Sequence, residues 1–347
     1  MLFYWSKCMR LVRAIEAALL ASFLIAAFGS PAGAQSNATA KLIEGAKKEG
    51  LLSWYTSMSV VESKPIADEF EKQYPFIKVD LFRSSGEKVQ NRAVTETRAG
   101  RWDFDVASLS EIGTLIEHKL IAPYISPETA NYIKELKDPQ GYWNAVYINY
   151  YVPGYNTRMV AEKDAPKRWE DFLDPKWKGK ISIDQEDYPW YATLLAAWGK
   201  EKTEKYMRAL AKQDIQWRKG HSLIAQLMGA GEFPIGIVYA HRVESDKKKG
   251  APLEWVNTVD PIVASVHTAG LSAKAPHPNA AKLLIDFMLT KKIQEKFRAL
   301  NRVPARRDVE PPSPKMDQSK LKIRVVPHDT STRVNEYVGD FRTIFGQ

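Results

Sequence analysis

From residue 37 onward, apolar positions recur first at helical spacing and then as short apolar runs, and the two patterns keep alternating. "NATAKLIEGAKKEG" predicts a helix closed by Gly50 as its C-cap. "LLSWYTS" predicts a short strand, and "VVESKPIADEFEKQYP" carries Val61, Ile66 and Phe70 on one helical face before stopping at Pro75. "FIKVDLFR" is the next strand, "SSGEKVQNRAVTETRAGR" a helix opened by its Ser-Ser-Gly end, "WDFDVASL" a strand and "SEIGTLIEHKL" a helix. Strands trading places with helices of about ten residues indicate βαβ units around a mostly parallel sheet.

The texture changes near residue 142. "YWNAVYINYYVPGYNT" is aromatic and β-rich, interrupted by Pro153-Gly154, and is expected to cross from a first lobe into a second. The second region predicts helices over Pro189–Trp198 and Lys202–Lys212, a helix over "SLIAQLMGAGE" and a strand "FPIGIVYA". "APLEWVNTVDPIVASVHTAGLSA" supplies further strands and the return to the first lobe. "HPNAAKLLIDFMLTKKIQEKFRAL" is one long amphipathic helix, with Leu283, Leu284, Phe287, Met288 and Phe297 on its apolar face. A polar, proline-containing tail follows Pro311, and no internal repeat is evident.

The N-terminus changes the expected compartment. Lys7, Arg10 and Arg13 precede an apolar run from Ala17 to Phe28 and the small-residue site Ala32-Gly33-Ala34, the layout of a secretory signal peptide over residues 1–34. The run is shorter than the ~20 residues a spanning helix needs, so no membrane insertion is expected once the leader is cleaved. Met9 is an alternative start. The only cysteine, Cys8, belongs to this leader, which leaves a chain without disulfides or thiolate ligands. The remaining 310 or so residues suffice for two lobes. Of the net charge of +9 the leader carries +2, and the remainder is dispersed among acids, with no nucleic-acid reader motif.

Several segments, namely "LLSWYTS", "FRSSGEKVQNR…RAGRWDFDV", "VPGYNTRMV", "WEDFLDPKWKGKI", "GEFPIGIVY" and "APHPNAAKLLIDFMLTKKIQEKF", together resemble the extracellular solute-binding proteins of ABC importers. The resemblance is to the branch containing the ferric-iron-binding periplasmic proteins and runs from about Leu42 to Val309. It implies an α/β, two-lobed periplasmic-binding-protein fold of type II, each lobe a mostly parallel sheet flanked by helices and joined by hinge crossover strands. Residues 36–149 plus 270–310 are expected to form lobe 1, 150–269 lobe 2, and 311–347 a C-terminal tail packing on the lobes. It also implies a monomeric periplasmic protein that delivers a ligand to permease subunits and does no covalent chemistry. No cofactor is expected, with Fe(III) open only as a transported ligand.

The residues themselves narrow the candidate site. Ligands of open α/β sheets sit beyond the carboxyl ends of strands, where helix N-termini present free amides. Thr56-Ser57 and Ser84-Ser85-Gly86 occupy such places and suit an anion, although Ser84 or Ser85 can equally be a helix cap. Ser108 and Ser110 are candidates for the cleft wall. Asp184, in "SIDQEDYPW", is either a loop acid or an acceptor for a ligand ammonium group. Tyr151 belongs to the tyrosine cluster at the crossover. The ferric members of the resembled branch hold the metal largely through adjacent tyrosines at the end of the strand after the "GE" turn. In this chain those positions fall on His241 and Arg242, with Tyr239 two residues earlier on the same strand face. Arginine cannot ligate a cation but offers a planar fork to carboxylate, phosphate or phosphonate. Arg242 therefore points to a small organic or phosphorus-bearing anion, with Tyr239 and His241 as hydrogen-bonding neighbours. A ferric site drawn from Tyr155, Tyr239 and His241 stays open, as does an exported hydrolase, for which neither a G-x-S-x-G elbow nor a metal-binding helix motif is found.

Overall fold

The computed structural model describes residues 31–110, 112–327, 330 and 333–346. Of the signal-peptide reading over residues 1–34, residues 1–30 lie outside them. In chain order the regular elements are α1 (Pro31–Glu49), β1 (Leu51–Thr56), α2 (Val60–Gln73), β2 (Lys78–Arg83), α3 (Gly86–Arg98), β3 (Val106–Leu109), α4 (Gly113–Glu117) and β4 (Ile121–Ala122). The crossover strand β5 (Asn144–Asn156) is followed by β6 (Ile181–Asp184), α5 (Tyr188–Trp198), α6 (Lys200–Leu210), β7 (Gln216–Arg218), α7 (His221–Ala230), β8 (Ile235–Tyr239), α8 (Ala240–Lys247) and β9 (Leu253–Trp255). A second crossover strand, β10 (Ile262–Ser272), returns the chain to α9 (Pro278–Leu289), α10 (Lys291–Ala299), β11 (Val303–Pro304), β12 (Ile323–Val325) and α11 (Val334–Phe345).

One continuous sheet runs β2-β1-β3-β10-β5-β8-β6-β7. β2, β1 and β3 are parallel on one side, and β8, β6 and β7 are parallel on the other. β10 and β5 lie antiparallel between them, fully buried over 11 and 13 residues. This gives two α/β halves joined by a pair of long strands. The main core passes through that junction and buries Trp54, Trp169, Trp190 and Trp255, and a smaller cluster around Tyr55, Phe104 and Leu115 supports α3.

Local chemistry explains most boundaries. α1 stops at Glu49 because Gly50 takes φ +66°, and Glu49 then accepts from the amides of Asn279 and Ala280 at the start of α9. An acid at a helix N-terminus is favoured by the exposed amides and the helix dipole. Pro153 does not interrupt β5. Its carbonyl accepts from Val256, so its missing N–H faces the gap between the β10 pairing, which ends at Tyr151, and the β9 pairing, which starts at Gly154. The single long helix expected after residue 277 is two, because Thr290 is extended (ψ 150°) and caps α10. The helix over "SEIGTLIEHKL" is only one turn and a half, and the polar tail contains both a strand and a helix.

Candidate functional site

The carboxyl ends of the parallel strands on the two sides open onto a common cleft. On the first side, Thr56 ends β1 fully buried. Its hydroxyl donates to the Ser108 carbonyl (3.1 Å) and accepts from the Met58 amide (3.0 Å). The Ser57 amide also reaches Ser108 O, and the Ser84 amide reaches Thr56 O, which lays the two loops side by side. Ser85 caps α3 by accepting from the Lys88 amide at 3.4 Å, and Gly86 begins the helix. Ser108 is not on the cleft wall. It is fully buried, its hydroxyl 2.9 Å from His267 Nε2, since Ser108 shares a sheet face with His267 two residues along from its β10 partner Ala269. Arg92 pairs with Glu96 (2.7 Å) over the rings of Tyr55 and Phe82.

On the second side, the Asp184 carboxylate ties the loops together, accepting from the amides of Gly220 (2.8 Å) and Glu186 (3.0 Å). It also lies 3.4 Å from His221 Nδ1, while Asp187 lies 2.9 Å from His221 Nε2. The His221 ring stacks on Tyr239 (4.2 Å, 22°) and meets Tyr151 edge-on (4.8 Å). Tyr239 stacks in turn on His241 (5.4 Å), and the Tyr239 and Tyr151 hydroxyls are 3.5 Å apart. A cavity of about 510 Å³ spans the cleft, lined by Glu87 and Gln90 of α3, Gln185 and Glu186 across from them, and Phe341 and Arg342 of α11.

Burial opposes charging His221, yet Asp187 and Asp184 outweigh it and hold its pKa above the usual histidine value. Burial pushes Asp187 up, with His221 pulling against it. A raised folded-state pKa means that the His221 contribution is complete below the unfolded value of about 6.5 and fades as pH rises through the folded one. Asp187, also raised, acts in the same sense. Urea midpoints of the wild type should therefore fall as pH rises above the unfolded histidine value of about 6.5, and Asp187→Asn should flatten that slope. An unchanged slope in the variant would place the titration elsewhere.

β8 ends at Tyr239, so His241 and Arg242 stand on the first turn of α8 and not on a strand face shared with Tyr239. Arg242 is about a quarter exposed and gives its Nε to Asp246 of the same helix (2.9 Å). Tyr155 pairs with Ile235, four positions along β5 from the Tyr151–Tyr239 pair, or roughly 13 Å at ~3.3 Å per residue. It cannot join Tyr239 and His241 around one ion, and burial raises its phenol pKa. Among the described residues, no group of three or more His, Cys, Asp or Glu is arranged to hold a metal.

A guanidinium unforeseen from the sequence joins several of these elements. Arg302, between α10 and β11, reaches Glu62 of α2, Asn149 of β5 and His241 of α8, so one side chain spans both halves and the crossover. The one legible signal was Ser59-x-x-Glu62, a capping-box spacing that marks Glu62 as ordered; the Ser59 hydroxyl donates to it at 2.7 Å.

Two α/β halves joined by crossing strands, with strand ends around a polar cleft, are the architecture of a small-solute receptor. The chain belongs to the bacterial extracellular solute-binding proteins, a family model of which matches residues 107–330, and its fold is the type II periplasmic-binding fold of ABC-transport receptors. It is 26% identical over 296 residues to the Fe(3+)-binding periplasmic protein of Serratia marcescens, covering 82% of this chain and 83% of that one. It is 26% identical over 306 residues to a putative 2-aminoethylphosphonate-binding periplasmic protein of Salmonella typhimurium (85% and 86%). A 27% match to an uncharacterized Haemophilus influenzae protein covers 51% of this chain and only 54% of that protein. Among solved structures, AfuA from Actinobacillus pleuropneumoniae with fructose-6-phosphate bound superposes with a TM-score of 0.72 at 25% identity, over 86% of this chain and 99% of that one.

Proposed function

We propose that this chain, exported to the periplasm, captures a small organic or phosphorus-bearing anion between its lobes and passes it as a monomer to the permease of an ABC importer. The lobes are taken as 36–149 with 270–310, and 150–269. The reading is carried by three helix N-termini, those of α3, α7 and α8, each of which directly follows the carboxyl end of a parallel strand, β2, β7 and β8. Such termini present amides and a partial positive charge to an anion. Arg302 and Arg242 add to this field and depress the basicity of His241, behind the larger effect of burial. The relatives whose names record phosphonate and sugar-phosphate ligands support the same class.

A second reading, ferric iron carried with an accompanying anion, is favoured by the Tyr151–Tyr239 hydroxyl pair and by the Serratia relative. On either reading the protein performs no covalent chemistry. Thermal unfolding should be followed with inorganic phosphate, methylphosphonate, 2-aminoethylphosphonate, fructose 6-phosphate and citrate. A true ligand at 100 times its Kd adds about 2.7 kcal/mol of stability. No shift with any of them, together with a visible tyrosinate band after iron loading, would transfer the conclusion to iron. Turnover of any of these compounds would count against a binding protein.

A further inference from the structure

The family match ends at residue 330, short of α11, yet α11 supplies one wall of the cleft cavity. Its residues form two stripes at helical spacing. Tyr337, Phe341 and Phe345 make the seam that holds the helix to the β8-β6-β7 side. Tyr337 meets Tyr191 of α5 edge-on (6.4 Å), and Phe341 and Phe345 meet Trp217 of β7 (5.9 and 5.0 Å). The Tyr191 hydroxyl donates to Asp340 at 3.4 Å. Tyr337 and Phe341 are buried, so the seam sets which face of the helix looks into the cleft. That face is the neighbouring stripe, Val334, Val338 and Arg342, joined by Phe341. The rest of the lining is polar. Within it Glu186 is neutralised by Lys219 (2.9 Å), while Glu87 has no ion pair among the described residues. Arg342 is exposed, and its guanidinium has no hydrogen bond or ion pair among the described residues.

We propose that α11 is the specificity wall of the cleft, with Arg342 taking the ligand's oxyanion and Val334, Val338 and Phe341 packing against a nonpolar body. The inference rests on the anion reading above and deepens it, since it makes the ligand an organic anion and not an inorganic one. An inorganic ion at Arg342 leaves the two valines and the phenyl ring against water. An organic anion covers them and gains from each patch of apolar surface removed from solvent. The cavity, about 510 Å³, also falls in the range of roughly 300–1,000 Å³ usual for organic ligands. Glu87 repels an oxyanion from the α3 side, which makes the Arg342 end its place. The guanidinium there can grip two oxygens at once.

Calorimetry with phenylphosphonate and methylphosphonate, which share a head group and differ in the body, tests this on wild type, Arg342→Gln and Val338→Asn. Neither side chain belongs to the aromatic seam, so both variants should keep the wild-type melting temperature. Phenylphosphonate should bind the wild type roughly tenfold more tightly than methylphosphonate. Arg342→Gln should weaken both compounds roughly tenfold or more. Val338→Asn should weaken phenylphosphonate alone, to within about threefold of methylphosphonate. Equal affinities of the two compounds for the wild type overturn the apolar wall without recourse to any variant. Variants that bind both compounds as the wild type does make α11 a structural prop and overturn the proposal. A wild type that binds fructose 6-phosphate or citrate but neither phosphonate overturns it too, with the anion reading intact. A wild type that binds none of these anions removes both.

Discussion

Trp169→Ala is expected to lower the stability of the protein by about 4 kcal/mol. Trp169 is fully buried, stacks on Phe172 and lies 5.3 Å from Trp190. Its indole N–H donates to the Pro261 carbonyl (2.9 Å), just before β10, and its own carbonyl accepts from Tyr206. Removing the ring leaves a cavity among large, rigid aromatics that cannot close over it, and it strands a buried carbonyl at the root of a crossover strand. Both terms act in the same direction. Urea denaturation followed by tryptophan fluorescence and circular dichroism measures the loss. A change below about 1 kcal/mol would mean that the surrounding rings collapse freely.

The second large effect is expected at Gly236, the second residue of β8. A Cβ there would lie 2.7 Å from the Ser182 carbonyl oxygen and 3.1 Å from Ile224. The first contact is with backbone, so relief requires β6 and β8 to separate. Gly236→Ala should cost about 1–3 kcal/mol, the range for overpacking. It should also weaken ligand binding, because Asp184 ends β6 two residues beyond Ser182 and Tyr239 ends β8 three residues beyond Gly236. Gly339, in α11, meets nothing within 4 Å of an added Cβ, so Gly339→Ala should be neutral or stabilising by about 0.5–1 kcal/mol. Equal midpoints and equal affinities for the two variants would refute the assignment of Gly236 as a close-packing point.

The elements were legible wherever local chemistry decides them. Ser85 and Gly50 mark their helix ends in the sequence and hold them in the structure. Reading failed where the partner was remote. Pro153 reads as a break because the pattern cannot show that its missing N–H would face a gap between two strands. Thr290 reads as a tolerable helical residue, yet it is extended and splits α9 from α10. His241 was read on a strand and stands on a helix turn, although its ring still stacks on Tyr239.

Alternating hydrophobic periods and the strand–loop–helix junctions were enough to determine an α/β receptor with two halves and a polar cleft, since both depend on residues near one another in the chain. Which cation ties the distant segments together was decided only by tertiary structure. Arg242 is taken up four residues away by Asp246, whereas Arg302 finds partners 240, 153 and 61 positions distant in Glu62, Asn149 and His241. A guanidinium is directed by the acceptors it meets in space, and no spacing along the chain encodes a meeting of four segments.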